Sequence, residues 1–490
     1  MPIIHPPFDE IRPLAGRKGK LPLWTELLAD FRTPLAVFCA LKQAGTEAFL
    51  LESVEGGEAW GRYSFLGFTP AAVLTGRGRA MSLRTSEGVR EFDASPFDAA
   101  RELVDAGSAA RFPELPPFTG GVVGCFGYET VCAFEDTLTL TGKDTTGLPD
   151  CVLMLFDELL VFDHLRQKLL LIVNIDADGD LAAGYDAGSR RLGELTAQVE
   201  EAAATIVRSE PLPPIAFTSN RTKEQYMAMV ERAKEYIRSG DIFQCVPSQR
   251  FRGNLKGSLL PAYRMLRVIN PSPYMYYVQA GELEIAGASP ETLLKVQDGA
   301  ILSFPIAGTR KRGATKEEDD ALERELLADP KELAEHDMLV DLARNDVGRV
   351  AETGSVRVED YRKVQRYSHV MHITSKVTGT LRHGMDALDA LPAVLPAGTL
   401  SGAPKLRAME IIDELEGERR GLYGGGIGYM GYDGNLDVCI AIRTIIKQGE
   451  DVFVQSGGGV VLDSDPALEY EETVNKAAAL FKAIEEGGSL

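Results

Sequence analysis

Short apolar runs and tight turns alternate through residues 424–455, which read GGGIGYMGYDGNLDVCIAIRTIIKQGEDVFVQ. The runs at 436–446 and 452–455 are rich in Val, Ile and Phe, as β-strands are. Asp433-Gly434, which precedes the first run, is typical of a hairpin connection. The stretch therefore predicts neighbouring strands that pair antiparallel, with 436–446 as one continuous strand.

The same pattern recurs through much of the chain. Further strand-like runs lie at 152–162, 168–174, 283–288 and 300–306, and Gln297-Asp298-Gly299 forms a second hairpin-like turn. Hairpins join antiparallel strands, whereas parallel strands need long crossover connections. The pattern therefore favours an α+β fold over a doubly wound parallel sheet.

A helix and a chain boundary are predicted near the middle of the sequence. Thr222 and Gln225 have the spacing of a capping box, apolar residues follow at helical spacing, and Gly240 is a stop signal. The proline-rich segment 210–214 precedes this helix and predicts a linker. The two predicted domains cover residues 1–210 and 215–490.

Two glycine-rich segments resemble each other. Residues 120–128 (GGVVGCFGY) match 424–432 (GGGIGYMGY) in five positions, which alone is weak support for a repeat. The second segment places Gly426, Gly428 and Gly431 in the order of a dinucleotide fingerprint. Because a turn and another strand follow instead of a helix, we reject a dinucleotide site and predict close backbone packing.

Composition narrows the class of partner. The 490 residues carry 72 acidic and 52 basic side chains, a formal charge of −20. This charge argues against nucleic acid or an anionic membrane and favours small molecules or proteins as partners. Apolar runs fall short of the roughly 18 residues of a membrane span, and the N-terminus lacks a signal-peptide pattern. We therefore expect a soluble, cytoplasmic protein.

Cysteine and histidine spacing argues against several kinds of site. The six cysteines contain no C-x-x-C pair, which removes thiol zinc sites and disulfide scaffolds. The six histidines contain no H-E-x-x-H, and no serine lies in G-x-S-x-G. Zinc-protease and serine-hydrolase functions are therefore not indicated.

One predicted helix start carries paired carboxylates. Asp329 is the expected N-cap, Pro330 the first helical residue, and Glu332 the closing residue of a capping box. Glu335 shares a face with Glu332 but has no capping role. The segment after Glu335 looks largely buried, so that carboxylate needs a cation or a proton as partner.

The last predicted helix repeats the arrangement. Ser464 or Asp465 is its expected cap, and Glu469, Glu472 and Lys476 follow at i, i+3 and i+7. Like charges three residues apart repel unless something neutralises them. Two pairs of carboxylates without thiols or clustered imidazoles suit a hard cation such as Mg²⁺, with a solvated acidic face as the alternative.

Further cations and one histidine could carry chemistry. We expect Arg310-Lys311-Arg312 to form a solvated loop after a strand end. Arg443, inside an apolar strand, could pair with a buried acid or clamp a ligand carboxylate. His372 alternates with apolar neighbours, which fits either a core histidine or a general acid or base.

Six short segments form a specific set in a fixed order. They are 241–244 (DIFQ), 287–291 (GASPE), 305–309 (PIAGT), 335–346, 398–405 (GTLSGAPK) and 469–476. One such match would be chance-grade, but all six in order are not. The set resembles the chorismate-utilising enzymes, most closely the anthranilate synthase component I family, over nearly the whole chain.

The resemblance implies a fold and a metal. The implied fold is a four-layer α/β/β/α sandwich with two orthogonally packed, mainly antiparallel sheets and an accessory N-terminal half. The implied metal is Mg²⁺, which bridges to the ring carboxylate of chorismate. Glu335 and Glu472 would hold it, with Glu332 and Glu469 nearby through waters.

The resemblance also implies how chorismate is bound. Its two carboxylates would be fixed by a set of cationic, hydroxyl and backbone groups: Gly308, Thr309, Tyr423, Arg443, Gly458, Gly459 and Lys476. An anion of charge near −2 in an acidic protein needs such donors.

The family mechanism adds ammonia to the ring carbon next to the carboxylate-bearing carbon as the ring hydroxyl leaves, and then eliminates pyruvate to give anthranilate. Glu291 matches the general acid and His372 the histidine of the elimination. Gln244, where isochorismate and salicylate synthases carry a lysine, and Thr399 complete the implied catalytic set. Ala307 stands where aminodeoxychorismate synthases carry a nucleophilic lysine, which favours anthranilate as the product.

Two segments resemble the family's site for tryptophan as a feedback inhibitor. They contribute the implied inhibitor-binding residues Leu51, Glu52, Ser53, Pro273, Tyr274 and Met275. An apolar strand end and a proline-rich turn are the simpler explanations of each segment alone. Their joint presence favours inhibitor binding.

The nitrogen source is implied as well. None of the six cysteines lies in the Gly-rich nucleophile turn of a glutamine amidotransferase, so the chain should use ammonia but not glutamine. We therefore expect a separate glutamine amidotransferase subunit, anthranilate synthase component II, as partner. The alternatives are an aminodeoxychorismate synthase component I and a catalytically silent, ligand-binding homologue.

Overall fold

The computed structural model describes residues 2–43, 45–53, 61–104, 110–203, 212–367 and 370–488. Residues 210 and 211, where the predicted linker begins, lie outside these ranges. The division into domains at this point therefore stays a prediction.

The helices of the described residues are α1 (Phe8–Ile11), α2 (Pro34–Leu41), α3 (Pro96–Val104), α4 (Leu181–Ala203), α5 (Lys223–Ser239), α6 (Leu260–Ile269), α7 (Lys316–Ala328), α8 (Pro330–Gly348), α9 (Ala387–Val394), α10 (Lys405–Glu416) and α11 (Pro466–Gly487). Short 3₁₀ helices lie at Arg12–Leu14, Tyr128–Ala133 and Gly398–Leu400.

The strands of the first half are β1 (Lys20–Leu28), β2 (Ala48–Glu52), β3 (Tyr63–Phe68), β4 (Ala72–Arg77), β5 (Ala80–Thr85), β6 (Gly88–Asp93), β7 (Gly121–Phe126), β8 (Cys151–Phe156), β9 (Glu158–Asp163), β10 (Lys168–Asp176) and β11 (Thr218–Ser219). Those of the second half are β12 (Gln244–Cys245), β13 (Ser248–Asn254), β14 (Tyr274–Ala280), β15 (Leu283–Ser289), β16 (Thr292–Gln297), β17 (Ala300–Ser303), β18 (Ile306–Lys311), β19 (Arg357–Arg366), β20 (Val370–Thr380), β21 (Gly402–Ala403), β22 (Gly426–Gly431), β23 (Leu436–Ile440), β24 (Thr444–Gln448) and β25 (Asp451–Gly457).

Two large sheets organise the molecule. The first runs in the order β1-β10-β9-β3-β2-β14-β15-β24-β25-β13-β11. The second runs in the order β18-β20-β17-β16-β23-β22-β7-β8-β4-β5-β6, with β19 paired to β20. Each sheet combines strands from both sides of residue 210, so the two halves of the chain share one framework.

Three apolar clusters reveal the layer order. One packs the first sheet against α2, α4, α6 and α11, through residues such as Phe38, Leu195 and Leu480. A second packs the other sheet against α3, α8 and α9. The third joins side chains from both sheets, such as Val161 and Met154. The layers are therefore helix, sheet, sheet, helix, which confirms the predicted α+β sandwich.

The predicted hairpins and helix cap form as expected. β22 and β23 pair antiparallel across Asp433-Gly434, and β16 and β17 pair across a turn with Asp298 at φ +52° and Gly299 at φ +80°. The Thr222–Gln225 capping box opens α5. These features depend on residues close in sequence, so local chemistry suffices to predict them.

Two runs predicted as single strands are divided between the sheets. The run 152–162 breaks at Asp157 into β8 of the second sheet and β9 of the first. The run 436–446 breaks before Thr444 in the same way, and Arg443 has a positive φ of +51°. The prediction of Arg443 inside a strand is therefore wrong. A charged residue, Asp157 or Arg443, lies at each break, and the prediction of single strands overlooked this signal.

The glycine-rich segments lie side by side. β7 and β22 pair antiparallel, and a Cβ at Gly428 would lie 2.1 Å from the carbonyl oxygen of Asp437. A Cβ at Gly124 would similarly lie 2.0 Å from the carbonyl oxygen of Val152. Close backbone approach, and not a dinucleotide loop, accounts for these glycines.

No helix in the described part of the chain is both long enough and apolar enough to cross a membrane.

Candidate active site

A cavity of about 390 Å³ lies between elements of both sheets and the helices α8 and α11. Most of the predicted catalytic, substrate-binding and metal-binding residues line it: Gln244, Glu291, Gly308, Thr309, Glu335, His372, Thr399, Tyr423, Arg443, Gly459, Glu469, Glu472 and Lys476. Ala307 lines it as well. The fold thus brings together residues that are up to about half the chain apart.

Glu332 and Gly458 are placed behind the cavity wall. Oε1 of Glu332 accepts a 3.0 Å hydrogen bond from Arg310, and its other oxygen lies against Gly308. The predicted capping box through Glu332 is therefore wrong, because the guanidinium takes its carboxylate. Asp329 caps α8 as predicted, and a Cβ at Gly458 would lie 2.8 Å from Oε2 of Glu469.

The predicted solvated loop at 310–312 is also wrong. Arg310 belongs to β18 and forms ion pairs with Glu325, Asp329 and Glu332. Arg312 pairs with Asp319 at 2.7 Å. The arginines join β18 to α7 and α8, and thereby fix the start of α8 beside the cavity.

Glu291 is a partly buried acid. Its carboxylate Oε1 accepts a 2.9 Å hydrogen bond from the Thr399 hydroxyl, and its main-chain carbonyl accepts one from Ile440 at 3.0 Å. Burial raises the pKa of Glu291 to about 7, against the opposing effects of Thr399 and Lys476. Such a group can hold or release a proton near neutral pH.

His372 faces the cavity from β20. Its Nδ1 lies 3.0 Å from the carbonyl oxygen of Gly308 and 3.0 Å from the Thr309 hydroxyl. A carbonyl only accepts, so Nδ1 carries the hydrogen and Nε2 keeps its lone pair. Burial lowers the pKa of His372, which favours the neutral ring.

Gln244 presents a neutral amide. The side chain is buried, and its Nε2 would lie 2.6 Å from a Cβ at Gly459, so a side chain at that position would displace the amide. Within the described residues, Oε1 of Gln244 is buried without a hydrogen-bond partner. This oxygen can therefore accept a hydrogen bond from a bound molecule.

Arg443 and Lys476 supply positive charge. Nη1 of Arg443 donates to the carbonyl oxygen of Lys476 at 3.3 Å, and burial lowers the pKa of the guanidinium. Nζ of Lys476 donates to the carbonyl oxygen of Gly457 at 3.0 Å. Two cations and the Tyr423 hydroxyl thus line one cavity, a donor set suited to an anion.

Three carboxylates, those of Glu335, Glu469 and Glu472, also line the cavity and can carry negative charge. Burial, followed by the charge of Glu332, raises the pKa of Glu335, and burial raises that of Glu469. Glu472 pairs with Lys476 at 2.5 Å. The region therefore carries negative charge that a cation would stabilise.

Among the described residues, no group of three or more His, Cys, Asp or Glu side chains forms a complete metal site. Magnesium commonly takes only one or two carboxylates, with water and substrate oxygens completing its octahedron. Glu335 and Glu472, with the buried unpaired Oε2 of Glu469 nearby, are oxygen donors of that kind. The residues present therefore fit Mg²⁺.

The sequence reasoning missed Lys331. This residue lines the cavity from the first turn of α8, and its charge lowers the pKa of Glu335 and Glu469 against the effect of burial. Its position four residues before Glu335 was the available signal, because i and i+4 lie on one helix face.

A second cavity of about 680 Å³ contains all of the predicted inhibitor-binding residues, Leu51, Glu52, Ser53, Pro273, Tyr274 and Met275. Antiparallel pairing of β2 with β14 places Glu52 opposite Met275. Two segments more than 200 residues apart thus form one wall. It is also lined by Arg62, Lys295 and Asp437, which no sequence pattern groups together.

Glu52 is held from outside this second cavity. Its Oε2 accepts a 2.7 Å hydrogen bond from the Tyr263 hydroxyl, and its Oε1 accepts one of 3.1 Å from Arg267. The carboxylate is therefore already paired. Its first role is to join β2 to α6.

Tyr274 links the second cavity to the chain segment that carries Glu291. Its hydroxyl lies 2.9 Å from the Thr292 hydroxyl and donates to Asp437 at 2.9 Å. Thr292 follows Glu291 directly in the chain. A side chain of the second cavity therefore contacts the residue that follows Glu291, the acid of the first cavity.

Curated relatives resemble this chain over its whole length. Anthranilate synthase component 1 of Acetivibrio thermocellus is 46% identical over 495 residues, which cover 100% of both chains. Anthranilate synthase component 1 of Aquifex aeolicus (strain VF5) is 47% identical over 491 residues, covering 98% of this chain and 97% of the relative.

Solved structures share the fold. Anthranilate synthase component I from Streptococcus pneumoniae TIGR4 superposes with a TM-score of 0.77 at 38% identity, covering 93% of this chain and 99% of that one. The menaquinone-specific isochorismate synthase MenF from Escherichia coli has a TM-score of 0.69 at 20% identity, covering 97% and 98%. At that identity the likeness is one of fold.

Residues 47–482 match the family described as chorismate binding enzyme. The match, the full-length relatives and the arrangement of the cavity agree with the resemblance drawn from the six segments. The chain belongs to the chorismate binding enzyme family.

Proposed function

We propose that this chain is the synthase subunit of an anthranilate synthase, which converts chorismate and ammonia to anthranilate, pyruvate and water. The observation that carries the proposal is the union, in one cavity, of a partly buried acid with a pKa of about 7, a neutral histidine, an amide and two cations. The name shared by the full-length relatives supports the same reaction.

Chorismate is a dianion, and the cations of the cavity suit it. Arg443 and Lys476 would bind its carboxylates, helped by the hydroxyls of Tyr423 and Thr309. Backbone groups of Gly308 and Gly459, which line the cavity without side chains, would approach the substrate closely, and Gly458 would leave room for Glu469 behind them. A net charge of −20 makes such a local set of donors necessary.

Glu291 as acid and His372 as base would each carry out one of two proton transfers. Glu291, protonated below a pH of about 7, would give its proton to the ring hydroxyl, which leaves as water while the C–N bond forms. Thr399 orients that carboxyl group. Nε2 of neutral His372 would then take the ring proton as the C–O bond to the pyruvate group breaks.

Gln244 would make the first hydrogen bond to ammonia. The unpaired Oε1 of Gln244 is an acceptor for an N–H of ammonia, and a neutral amide cannot activate water as a lysine base can. The amide therefore favours amination over hydration. Ala307, which cannot form a covalent intermediate, favours anthranilate over aminodeoxychorismate.

Mg²⁺ would be held by Glu335 and Glu472, with Glu332 and Glu469 nearby through waters. When bound, it would neutralise the ring carboxylate and act as a Lewis acid. Lys331 and Lys476 already balance part of the same acidic charge in the described structure.

The second cavity would hold tryptophan as a feedback inhibitor. Its mix of aromatic, proline and charged residues suits an amphiphilic amino acid. The Tyr274 hydroxyl, which reaches Thr292, offers a route to the acid of the catalytic cavity. The proposed role of this cavity is feedback inhibition, in which tryptophan inhibits the first step of its own biosynthesis.

A separate glutaminase would supply the ammonia. All six cysteines have a raised pKa because of burial, to about 12 for Cys125 and Cys245. A glutaminase nucleophile needs the opposite shift. A glutamine amidotransferase subunit, anthranilate synthase component II, is the proposed partner.

The test is to incubate the purified chain with chorismate, Mg²⁺ and either an ammonium salt or glutamine, and to identify products by mass. We expect anthranilate from ammonium alone, and from glutamine only after the partner is added. Release of 4-amino-4-deoxychorismate would favour the alternative synthase. Absence of turnover with either nitrogen source would favour a silent homologue.

A further inference from the structure

Arg420 lies four residues after the end of α10, outside the wall of the catalytic cavity. Only 2% of its surface is exposed. Its Nη2 lies 2.5 Å from Oε1 of Glu416, and its Nε donates to Oε2 at 3.0 Å. The guanidinium also lies 4.7 Å from the ring centre of Tyr128 and 5.5 Å from that of Tyr423. A buried charge requires such pairing, and the Glu416 carboxylate supplies it.

The remaining donors of Arg420 reach two separate main-chain segments. Nη1 donates to the carbonyl oxygen of Leu400 at 2.6 Å, and Nη2 donates to that of Val246 at 2.5 Å. Leu400 and Val246 both line the catalytic cavity. Leu400 follows Thr399, which holds the acid Glu291, and Val246 lies two residues after Gln244.

The partners of Arg420 are fixed in turn. Oε1 of Glu416 accepts hydrogen bonds from the main chain of Ser248 at 2.7 Å and from its hydroxyl at 2.8 Å. The carboxylate of Glu129 accepts from the backbone N–H groups of Arg420 and Gly421, at 2.6 and 3.0 Å. A shift of the guanidinium toward one of these segments would therefore disturb its hydrogen bonds to the others.

We infer that Arg420 is a positioning residue for catalysis, which sets the spacing of Thr399, Gln244 and Tyr423 around the substrate. The inference rests on the proposed function, because these three residues act in the proposed reaction. The planar guanidinium is suited to this task, since its donors point along fixed directions to several acceptors at once. A lysine keeps the positive charge, but its donors all lie on one nitrogen atom and cannot reach the same separated acceptors.

A purely stabilising ion pair would behave differently. Replacing a buried pair by uncharged residues is often neutral for stability, whereas removal of one partner leaves an unpaired charge. The double variant Glu416→Gln/Arg420→Met removes both charges and leaves an acceptor for Ser248. It therefore removes the link between the segments without burying a lone charge.

The experiment compares this double variant and Arg420→Lys with the unmodified chain. Turnover of chorismate is measured with ammonium and Mg²⁺ across pH at a fixed concentration of free ammonia, and folding by thermal unfolding. We expect kcat to fall on the order of 100-fold while KM for chorismate changes little, because misplacement near a reacting centre costs about that much.

The pH profile provides a readout that stability alone would not move. If Thr399 shifts with Leu400, Glu291 loses the hydrogen bond that favours its ionised form. The alkaline limb of kcat should then move to higher pH, as in a Thr399→Val variant. Lys476 is the charged residue that acts on Glu291, and neither variant changes it.

Lys447→Met is the matched control. Lys447 pairs with Glu284 at 3.5 Å between β24 and β15, with 10% and 7% of the two side chains exposed, and it does not line the catalytic cavity. This variant should lose stability while kcat and the pH profile stay unchanged.

Folded Arg420 variants with normal kcat and an unshifted pH profile would overturn the inference. A fall in activity that only matches the loss of folded protein, with an unshifted profile, would overturn it as well. Absence of turnover in the unmodified chain would overturn the proposed function, and the inference with it. A fall in kcat with the shifted profile in either folded variant supports it.

Discussion

The hydroxyl of Thr399 donates a 2.9 Å hydrogen bond to Oε1 of Glu291, although the two residues are 108 positions apart in the chain. The bond favours the ionised carboxylate, whereas burial favours the protonated form and raises the pKa of Glu291 to about 7. Two opposing effects thus place the proposed general acid near neutral pH.

Substitution of Thr399 tests this balance. In the unmodified chain, kcat at a fixed concentration of free ammonia should fall as the pH rises through about 7, because Glu291 loses its proton. Thr399→Val removes a bond that favours ionisation, so its alkaline limb should move to higher pH. We also expect kcat to fall roughly tenfold, the rate equivalent of one hydrogen bond. Thr399→Ser keeps the hydroxyl and should retain the original profile; identical profiles in all three proteins would exclude the proposed balance.

Substitution of His372 tests the division of roles. His372→Met removes Nε2, which is the proposed base for the elimination. Elimination should slow by on the order of 100-fold or more, whereas amination should continue. Mass spectrometry should therefore detect accumulation of the aminated intermediate. The exposed His383→Met serves as control, and release of anthranilate alone at the normal rate by His372→Met would remove the histidine from the mechanism.

The carboxylates on α8 and α11 test the metal proposal. Glu335→Gln and Glu472→Gln should each weaken Mg²⁺ binding, measured by calorimetry without substrate, because each removes one of two charged oxygen ligands. Turnover should fall with them. Glu471→Gln changes the neighbouring carboxylate, which is 58% exposed and faces Lys223, and should leave binding unchanged. Normal Mg²⁺ affinity in both test variants would place the metal elsewhere.

The second cavity can be tested by filling it. Ser53→Phe adds a ring to a wall of that cavity and should relieve inhibition by tryptophan with little effect on turnover. A tryptophan titration of the activity of both proteins measures the effect. An unchanged inhibition curve would mean that tryptophan binds at a different site.

The contact between Tyr274 and Thr292 can be tested without changing a residue that is proposed to bind tryptophan or chorismate. Thr292→Val removes the hydroxyl that meets Tyr274, while Tyr274 keeps its bond to Asp437. The coupling between tryptophan and chorismate should weaken by on the order of tenfold. Coupling is reciprocal, so tryptophan binding is titrated with and without chorismate. Thr378→Val, at a hydroxyl that bonds Glu359 instead, is the control; undiminished coupling in Thr292→Val would exclude this contact as the route.

Local chemistry was enough for much of the fold. The capping box of α5 joins Thr222 to Gln225, three residues on, and Asp433-Gly434 turns the chain with its own backbone preferences. The order of six short segments was likewise sufficient to identify the family. In each case the decisive residues are close in sequence, or their identity alone carries the information.

Tertiary structure decided where apolar runs change sheets and which charges meet. Arg443 interrupts the apolar run 436–446 before Thr444, but the sequence does not show that the two parts join different sheets. Glu332 has the spacing of a capping residue, yet its carboxylate binds Arg310 of β18, 22 residues earlier in the chain. The sequence by itself determined the local turns, the cap of α5 and the family. Only tertiary packing, which brings Arg420 to both Leu400 and Val246, decided how the site is held together, because it joins segments up to 174 residues apart.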